Sequence, residues 1–136
     1  MICVLGIDPG FDRTGLGVIT MDHGKSVWVY HGCVQTKTSM SFSSRLQAIR
    51  DGVQKGINRY KPNVVAVEKL FFQTNVKTAL SVGMARGVIL LAIADAGLPL
   101  VEVTPNQVKQ GVTGWGRADK KQMQRMVSRK STRLKI

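Results

Sequence analysis

The apolar positions of this chain change period several times, and the changes divide it into elements. Residues 2–7 (ICVLGI) form an unbroken apolar run, which predicts a strand buried on both faces. The turn-rich DPGFDRTG follows. LGVIT (16–20) and VWVYHGCVQT (27–36) then predict two more strands, separated by MDHGKS with its turn-forming Gly24. The chain therefore opens as an antiparallel meander of three strands. From there the period lengthens. Leu46, Ile49, Val53 and Ile57 make the apolar stripe of an amphipathic helix, with Ser41 or Ser43 near its N-cap and Lys61-Pro62-Asn63 ending it. VVAVE (64–68) predicts a fourth strand. A second helix covers residues 74–96, with Leu80, Met84, Val88 and Leu91 on one face. Gly83 and Gly87 share a neighbouring face that permits close approach by another backbone, and Gly97 takes the position after the helix that favours glycine. LVEV (100–103) predicts a fifth strand. Thr104-Pro105-Asn106-Gln107 has the form of a capping box, opening a short helix through Gly111. TGWGR (113–117) is a loop, and ADKKQMQRMVSR predicts a last helix with Met123, Met126 and Val127 on one side. The order βββαβαβα, then α, implies an α/β domain with one mixed sheet flanked by helices.

Composition narrows the class. At 136 residues and 43 % hydrophobic content, the chain suits one domain with its own core and excludes wholesale disorder. A two-domain kinase or ATPase would not fit. The longest apolar run, Gly87 to Ala94, falls short of the roughly 18 residues of a membrane span. The N-terminus has no basic region and reaches a carboxylate at Asp8, unlike a signal peptide. Cys3 and Cys33 lie in apolar runs and read as buried, reduced thiols of a cytosolic protein. Twenty Lys and Arg against eight Asp and Glu give a net charge of +12. Residues 117–136 alone carry +7 of it, an end suited to nucleic-acid phosphates first and an anionic membrane surface second.

Two carboxylates stand out. Asp8 ends the first strand, where Pro9-Gly10 stop the ladder, and Glu68 ends the fourth. If those strands are neighbours, the carboxylates converge, and two such charges at one point repel unless a divalent cation neutralises them. Mg²⁺ suits carboxylate, water and phosphate oxygens. The alternative, that both are turn or cap residues, stays open on spacing alone. His23 and His31 have no partner at any ligand spacing, and Asp12, four residues past Asp8, is at best a candidate for the surroundings of a metal.

Four stretches, GIDPGFDRTGLGVI, VVAVEKLFFQTN, SVGMARGV and TPNQVKQGVTGWGRADKKQMQRMV, resemble the RuvC family of Holliday-junction resolvases, across residues 1–127 and in order. The resemblance implies a ribonuclease-H-like fold with strand order 3-2-1-4-5. It makes Asp8 and Glu68 the first two members of a metal-binding acidic cluster holding two Mg²⁺ ions for phosphodiester hydrolysis. Phe71 matches an aromatic that stacks on a base at the junction centre. Lys109 and Lys120 match basic residues beside the scissile phosphate, with Arg117, Lys121 and Arg125 as backbone contacts. Arg86 reads as structural or as a subunit contact, and Phe72 as a core plug. The resemblance further implies a homodimer joined through the helix after Glu68, four-way branched DNA as substrate, branch-migration proteins as partners and a bacterial cytoplasmic setting.

One departure matters. Family members continue past the position of Val127 into a helix carrying the remaining acidic ligands, whereas this chain reads SRKSTRLKI. Asp119 aligns with no family ligand. The expectation is a nuclease domain over 1–127, incomplete at its C-terminal side, and a basic tail over 128–136. Two carboxylates do not easily hold two octahedral ions, so binding of branched DNA is expected to be stronger than its cleavage. A non-cleaving junction binder is the alternative. The DPG-x-x-x-TG segment also resembles the phosphate loop of actin-like ATPases and sugar kinases, but those need a second copy of the fold. An RNA-end nuclease of the same superfamily and a purely electrostatic nucleic-acid binder complete the rivals.

Overall fold

The computed structural model describes residues 1–69 and 76–104. Within them the chain runs β1 (Ile2–Asp8), β2 (Arg13–Asp22), β3 (Lys25–Gln35), α1 (Phe42–Tyr60), β4 (Val64–Glu68), α2 (Val76–Asp95) and β5 (Leu100–Val103). The five strands form one sheet in the order β3-β2-β1-β4-β5. β1, β2 and β3 are the expected antiparallel meander, while β4 lies parallel to β1 and β5 parallel to β4. The β2–β3 hairpin is longer than its apolar residues suggested because a two-residue turn closes it. His23 and Gly24 both have positive φ, 48° and 77°, the backbone of a type I′ turn that matches strand twist. The predicted short helix after Thr104, the TGWGR loop, the last helix and the basic tail lie outside the described residues.

Each helix has local reasons to begin or end where it does. Ser41 caps α1, its hydroxyl accepting from the Ser44 amide at 3.2 Å, and Lys61 closes it in a left-handed conformation, its N–H donating to Ile57 O at 2.9 Å. Gly97 (φ 68°) turns the chain after α2. Asn63 then registers β4 on β1, since its Oδ1 accepts from Cys3 N at 2.7 Å and its own N–H donates to Cys3 O at 2.8 Å.

One core forms on the face of the sheet that both helices cover. It comprises Leu5 and Ile7 of β1, Leu16 and Val18 of β2, Val65 and Val67 of β4, Ile49, Val53 and Ile57 of α1, and Ala85, Ile89, Ala92 and Ile93 of α2. Full burial of an aliphatic side chain is worth about 1.5–3 kcal/mol, so this cluster carries the stability of the described fold.

Three expectations are corrected. β1 is not buried on both faces: Leu5 and Ile7 are buried, but Val4 and Gly6, which point the other way, are only half-buried. The thiols are not both buried, for Cys33 is exposed and Cys3 half-buried, where burial pushes its thiol above the ordinary range. Both are free, and the register explains why they stay apart. Cys3 pairs with Thr20 and Cys33 with Gly15, so they are separated along β2 as well as by one strand. The largest correction is α2. Leu80, Met84 and Leu91 are 60 %, 50 % and 60 % exposed, while the smaller Ala85 and Ala92, with Ile89 and Ile93, face the sheet. A Cβ at Gly83 or Gly87 would meet nothing within 4 Å, so among the described residues no backbone uses the close approach that these glycines permit. By length and composition α2 is also apolar enough to cross a membrane, unlike the short run read from the sequence. Here its inner face packs in the sheet's core.

Candidate active site

The site grows from the β1–β4 pairing. The register runs Val4↔Val64 through Ile7↔Val67, so Asp8 and Glu68 follow as the next residues at the C-terminal ends of two adjacent parallel strands. Ile7 and Val67 point into the core; strand alternation turns Asp8 and Glu68 to the opposite face. Gly15 lies across from Asp8 on β2, and a Cβ there would meet the Asp8 Cβ at 3.5 Å, so the missing side chain leaves room beside the carboxylate. The two carboxyls are close enough to share a hydrogen bond. Partial burial, that bond and the charge of Asp8 push the Glu68 carboxyl up to about 7. The donor set fits Mg²⁺ or Mn²⁺, two hard oxygens with open solvent on the Asp8 side. Among the described residues no third Asp, Glu, His or Cys joins them.

Behind Glu68 lies a second charged cluster. Arg86 on α2 donates from Nη2 to Glu102 Oε1 of β5 at 2.6 Å, and Lys69 Nζ lies 4.0 Å from Glu102 Oε2. The Arg86 hydrogen bond holds the Glu102 carboxyl below the ordinary carboxylate range. Arg86 thus ties α2 to the sheet within its own chain. Lys69 N–H also donates to Val103 O at 2.7 Å, which carries the β4–β5 ladder one residue past Glu68.

Asp12 does not join the carboxylate pair. It is held by Arg45 of α1, whose Nη2 donates to Asp12 Oδ1. Arg45 was missed in the sequence, although a signal was there: it stands four residues before Ile49 on the stripe that α1 buries. His23 belongs to the hairpin turn, and His31 packs edge-on against Trp28 with ring centroids 6.4 Å apart. Phe71, Phe72, Lys109, Trp115, Arg117, Asp119, Lys120, Lys121 and Arg125 lie outside the described residues.

Comparison with known proteins now decides the family. A family model described as "Crossover junction endodeoxyribonuclease RuvC" matches residues 4–134. The chain belongs to the RuvC family. A relative of that name from Heliobacterium modesticaldum is 51 % identical over 124 residues, covering 91 % of this chain and 76 % of its own length. Another from Ruminiclostridium cellulolyticum is 46 % identical over 124 residues, covering 91 % and 75 %. Among solved structures, "T. thermophilus RuvC in complex with Holliday junction substrate" superposes with a TM-score of 0.88 at 34 % identity, covering 96 % of this chain and 79 % of that one. The RuvC membership, the ribonuclease-H-like fold and the 3-2-1-4-5 sheet agree with the resemblance seen in the sequence. RuvC proteins form a hydrolytic nuclease family.

Proposed function

We propose that this chain is a Holliday-junction-resolving endonuclease that hydrolyses phosphodiester bonds by symmetric nicking of four-way DNA junctions. The observation that carries the reading is the Asp8–Glu68 pair, two carboxyls brought together at adjacent strand ends, where partial burial and the neighbouring Asp8 raise the Glu68 carboxyl above the ordinary range. They would hold a divalent cation, Mg²⁺ by the chemistry of the donors. When bound, that ion supplies a water of lowered pKa and neutralises charge on the scissile phosphate. The protein's own part is positional: Glu68 is half-buried and fixed by the sheet, and Asp8 is exposed and turned toward the solvent from which DNA arrives. Two ions need more ligands than this pair provides.

The remaining assignments follow the family resemblance. Phe71 stacks on a junction base, Lys109 and Lys120 neutralise the scissile phosphate, and Arg117 and Lys121 grip the backbone in a salt-dependent way. The net charge of +12 supports this polyanion partner. The working unit is a homodimer, since a junction presents two equivalent strands. The outward apolar residues of α2, with the open space beside Gly83 and Gly87, support that helix as the seam between two copies. Branch-migration proteins are the further partners, in the bacterial cytoplasm. The nuclease domain covers 1–127, with the tail 128–136 as added basic surface.

A synthetic four-way junction tests the reading. With Mg²⁺ the chain nicks it symmetrically. Asp8→Asn and Glu68→Gln each lower the nicking rate more than about 100-fold, the upper range for residues that merely support a metal's ligands. Both still retard the junction in a gel. Retardation of a junction by the parent chain with no nicking at any Mg²⁺ concentration would establish the non-cleaving binder instead.

A further inference from the structure

We propose that Arg45 is a positioning residue for Asp8, gripping from the core side the loop that follows this carboxylate. The proposal rests on the reading of Asp8 and Glu68 as a cation-binding pair. Asp8 is the last residue of β1, and Pro9 to Asp12 have no strand neighbour. Nevertheless three successive carbonyls of that loop are held. Thr14 Oγ1 donates to Gly10 O at 2.7 Å, Thr36 Oγ1 donates to Phe11 O at 2.7 Å, and Thr36 N–H donates to Asp12 O at 3.0 Å. Arg45 binds the set together. Its Nε donates to Thr36 Oγ1 at 2.9 Å, which commits that hydroxyl's one proton to the Phe11 carbonyl. Its Nη2 reaches the Asp12 carboxylate, and its guanidinium carbon lies 3.9 Å from the centre of the Phe11 ring. Phe42, one turn earlier on α1, stacks on the same ring at 4.8 Å. One side chain therefore contacts a side-chain carboxylate, a ring and the anchor of a backbone carbonyl, all belonging to the loop or its anchor.

Stability alone is a poor account of this arrangement. Arg45 occupies a core register and its side chain is 10 % exposed, whereas Asp12 is 79 % exposed. So exposed a carboxylate does little to repay the desolvation of a guanidinium, and an apolar residue at that register would stabilise the fold as well or better. What arginine provides is direction, because its planar fork of donors accepts partners in one geometry only. The loop transmits that direction. A Cβ on Gly10 would lie 2.0 Å from Arg13 O, so the chain there is folded tightly against the start of β2 and has no slack to absorb a shift at Asp12. Asp8 needs such a hold because it is exposed at the very end of its strand, with the loop as its only continuation. A cation site requires both oxygens within a narrow range of distances.

The test measures Mn²⁺ affinity directly, by calorimetry or water-proton relaxation on the full chain, with thermal melting alongside. Arg45→Met fills the core register without donors. It is expected to weaken Mn²⁺ binding about 10-fold or more, the usual cost of losing a group that orients a metal ligand, with an unchanged or higher Tm. Arg45→Lys keeps the charge and loses the fork, so it resembles Arg45→Met. Thr36→Val, which keeps the backbone bond to Asp12 and removes the hydroxyl, weakens affinity by a smaller factor. Arg50→Ala, on the exposed side of α1, changes nothing. Unchanged Mn²⁺ affinity in Thr36→Val together with Arg45→Met overturns the proposal, and if Arg45→Met does not fold, Thr36→Val decides alone. A parent chain that binds no Mn²⁺ overturns it too. A parent that binds Mn²⁺ but never nicks overturns the nuclease reading instead, leaving the effect of Arg45 readable in the binding constants.

Discussion

α1 and α2 cover the same face of the sheet and bury matching stripes, yet their other faces are opposites. α1 buries Arg45, Ile49, Val53 and Ile57, and turns Gln47, Arg50, Asp51 and Lys55 to solvent. α2 buries Ala85, Ile89, Ala92 and Ile93, and turns Leu80, Met84 and Leu91 outward. The helix that looks more apolar in sequence is therefore the one that leaves large apolar residues uncovered. Periodicity reports that a face wants to leave water, not what removes it. In α1 the sheet does so for the single apolar face. In α2 two alanines and two isoleucines pack on the sheet, and Leu80, Met84 and Leu91 are left for a second surface. The two helices also divide the site: α1 grips the loop after Asp8, and the chain leads from Glu68 toward α2.

The strongest challenge to this comparison is to cut both inner faces. Ile49→Ala and Ile89→Ala are each expected to cost about 2–5 kcal/mol, measured from urea denaturation midpoints. A cost confined to Ile49 would mean that α2 is not anchored in the core. Next, Met84→Glu on the outer face of α2 weakens self-association by about 2 kcal/mol or more, as for the centre of an interface. Lys55→Glu on the outer face of α1 leaves it unchanged. Sedimentation velocity over a concentration series separates the two, and equal effects would erase the distinction between the faces. Removing the α1 cap by Ser41→Ala lowers stability by about 1 kcal/mol.

The smallest effect is a slope with pH in chelator. Glu68 titrates near 7 in the folded chain against an ordinary value of 4.5, so the folded state holds its proton longer than the unfolded one. The stability this contributes is full below 4.5 and is lost as pH rises through about 7. Glu68→Gln flattens the dependence, and saturating Mn²⁺ reverses its sign because the cation binds the deprotonated pair. A denaturant midpoint series across that range reads the slope.

Much of the fold was legible because its signals are local. The meander, the Ser41 cap, the Lys61-Pro62 stop and the stripe of α1 are written within a few residues of where they act. Asp8 and Glu68 were legible as strand-end carboxylates and by their match to the RuvC pattern. Arg45 was overlooked because a charged residue on a buried stripe looks like an interruption of it, and its partners Thr36, Phe11 and Asp12 lie 9, 34 and 33 residues away. Cys33 was misjudged because an apolar run in a strand does not say whether its second face is covered.

The sequence by itself determined the order and kind of elements, the placement of a carboxylate at two strand ends, the basic balance and the family. Only the tertiary structure decided that those carboxylates, 60 residues apart, stand at adjacent strand ends, where Glu68 is half-buried beside Asp8. It alone turned Leu80, Met84 and Leu91 of α2 outward, and put Arg45 against Asp12 and Phe11 of the loop after Asp8. The physical reason is one of range. Propensity, capping and periodicity act over a turn or a strand, whereas the charge felt by a carboxyl and the surface offered to a partner depend on which strands lie side by side.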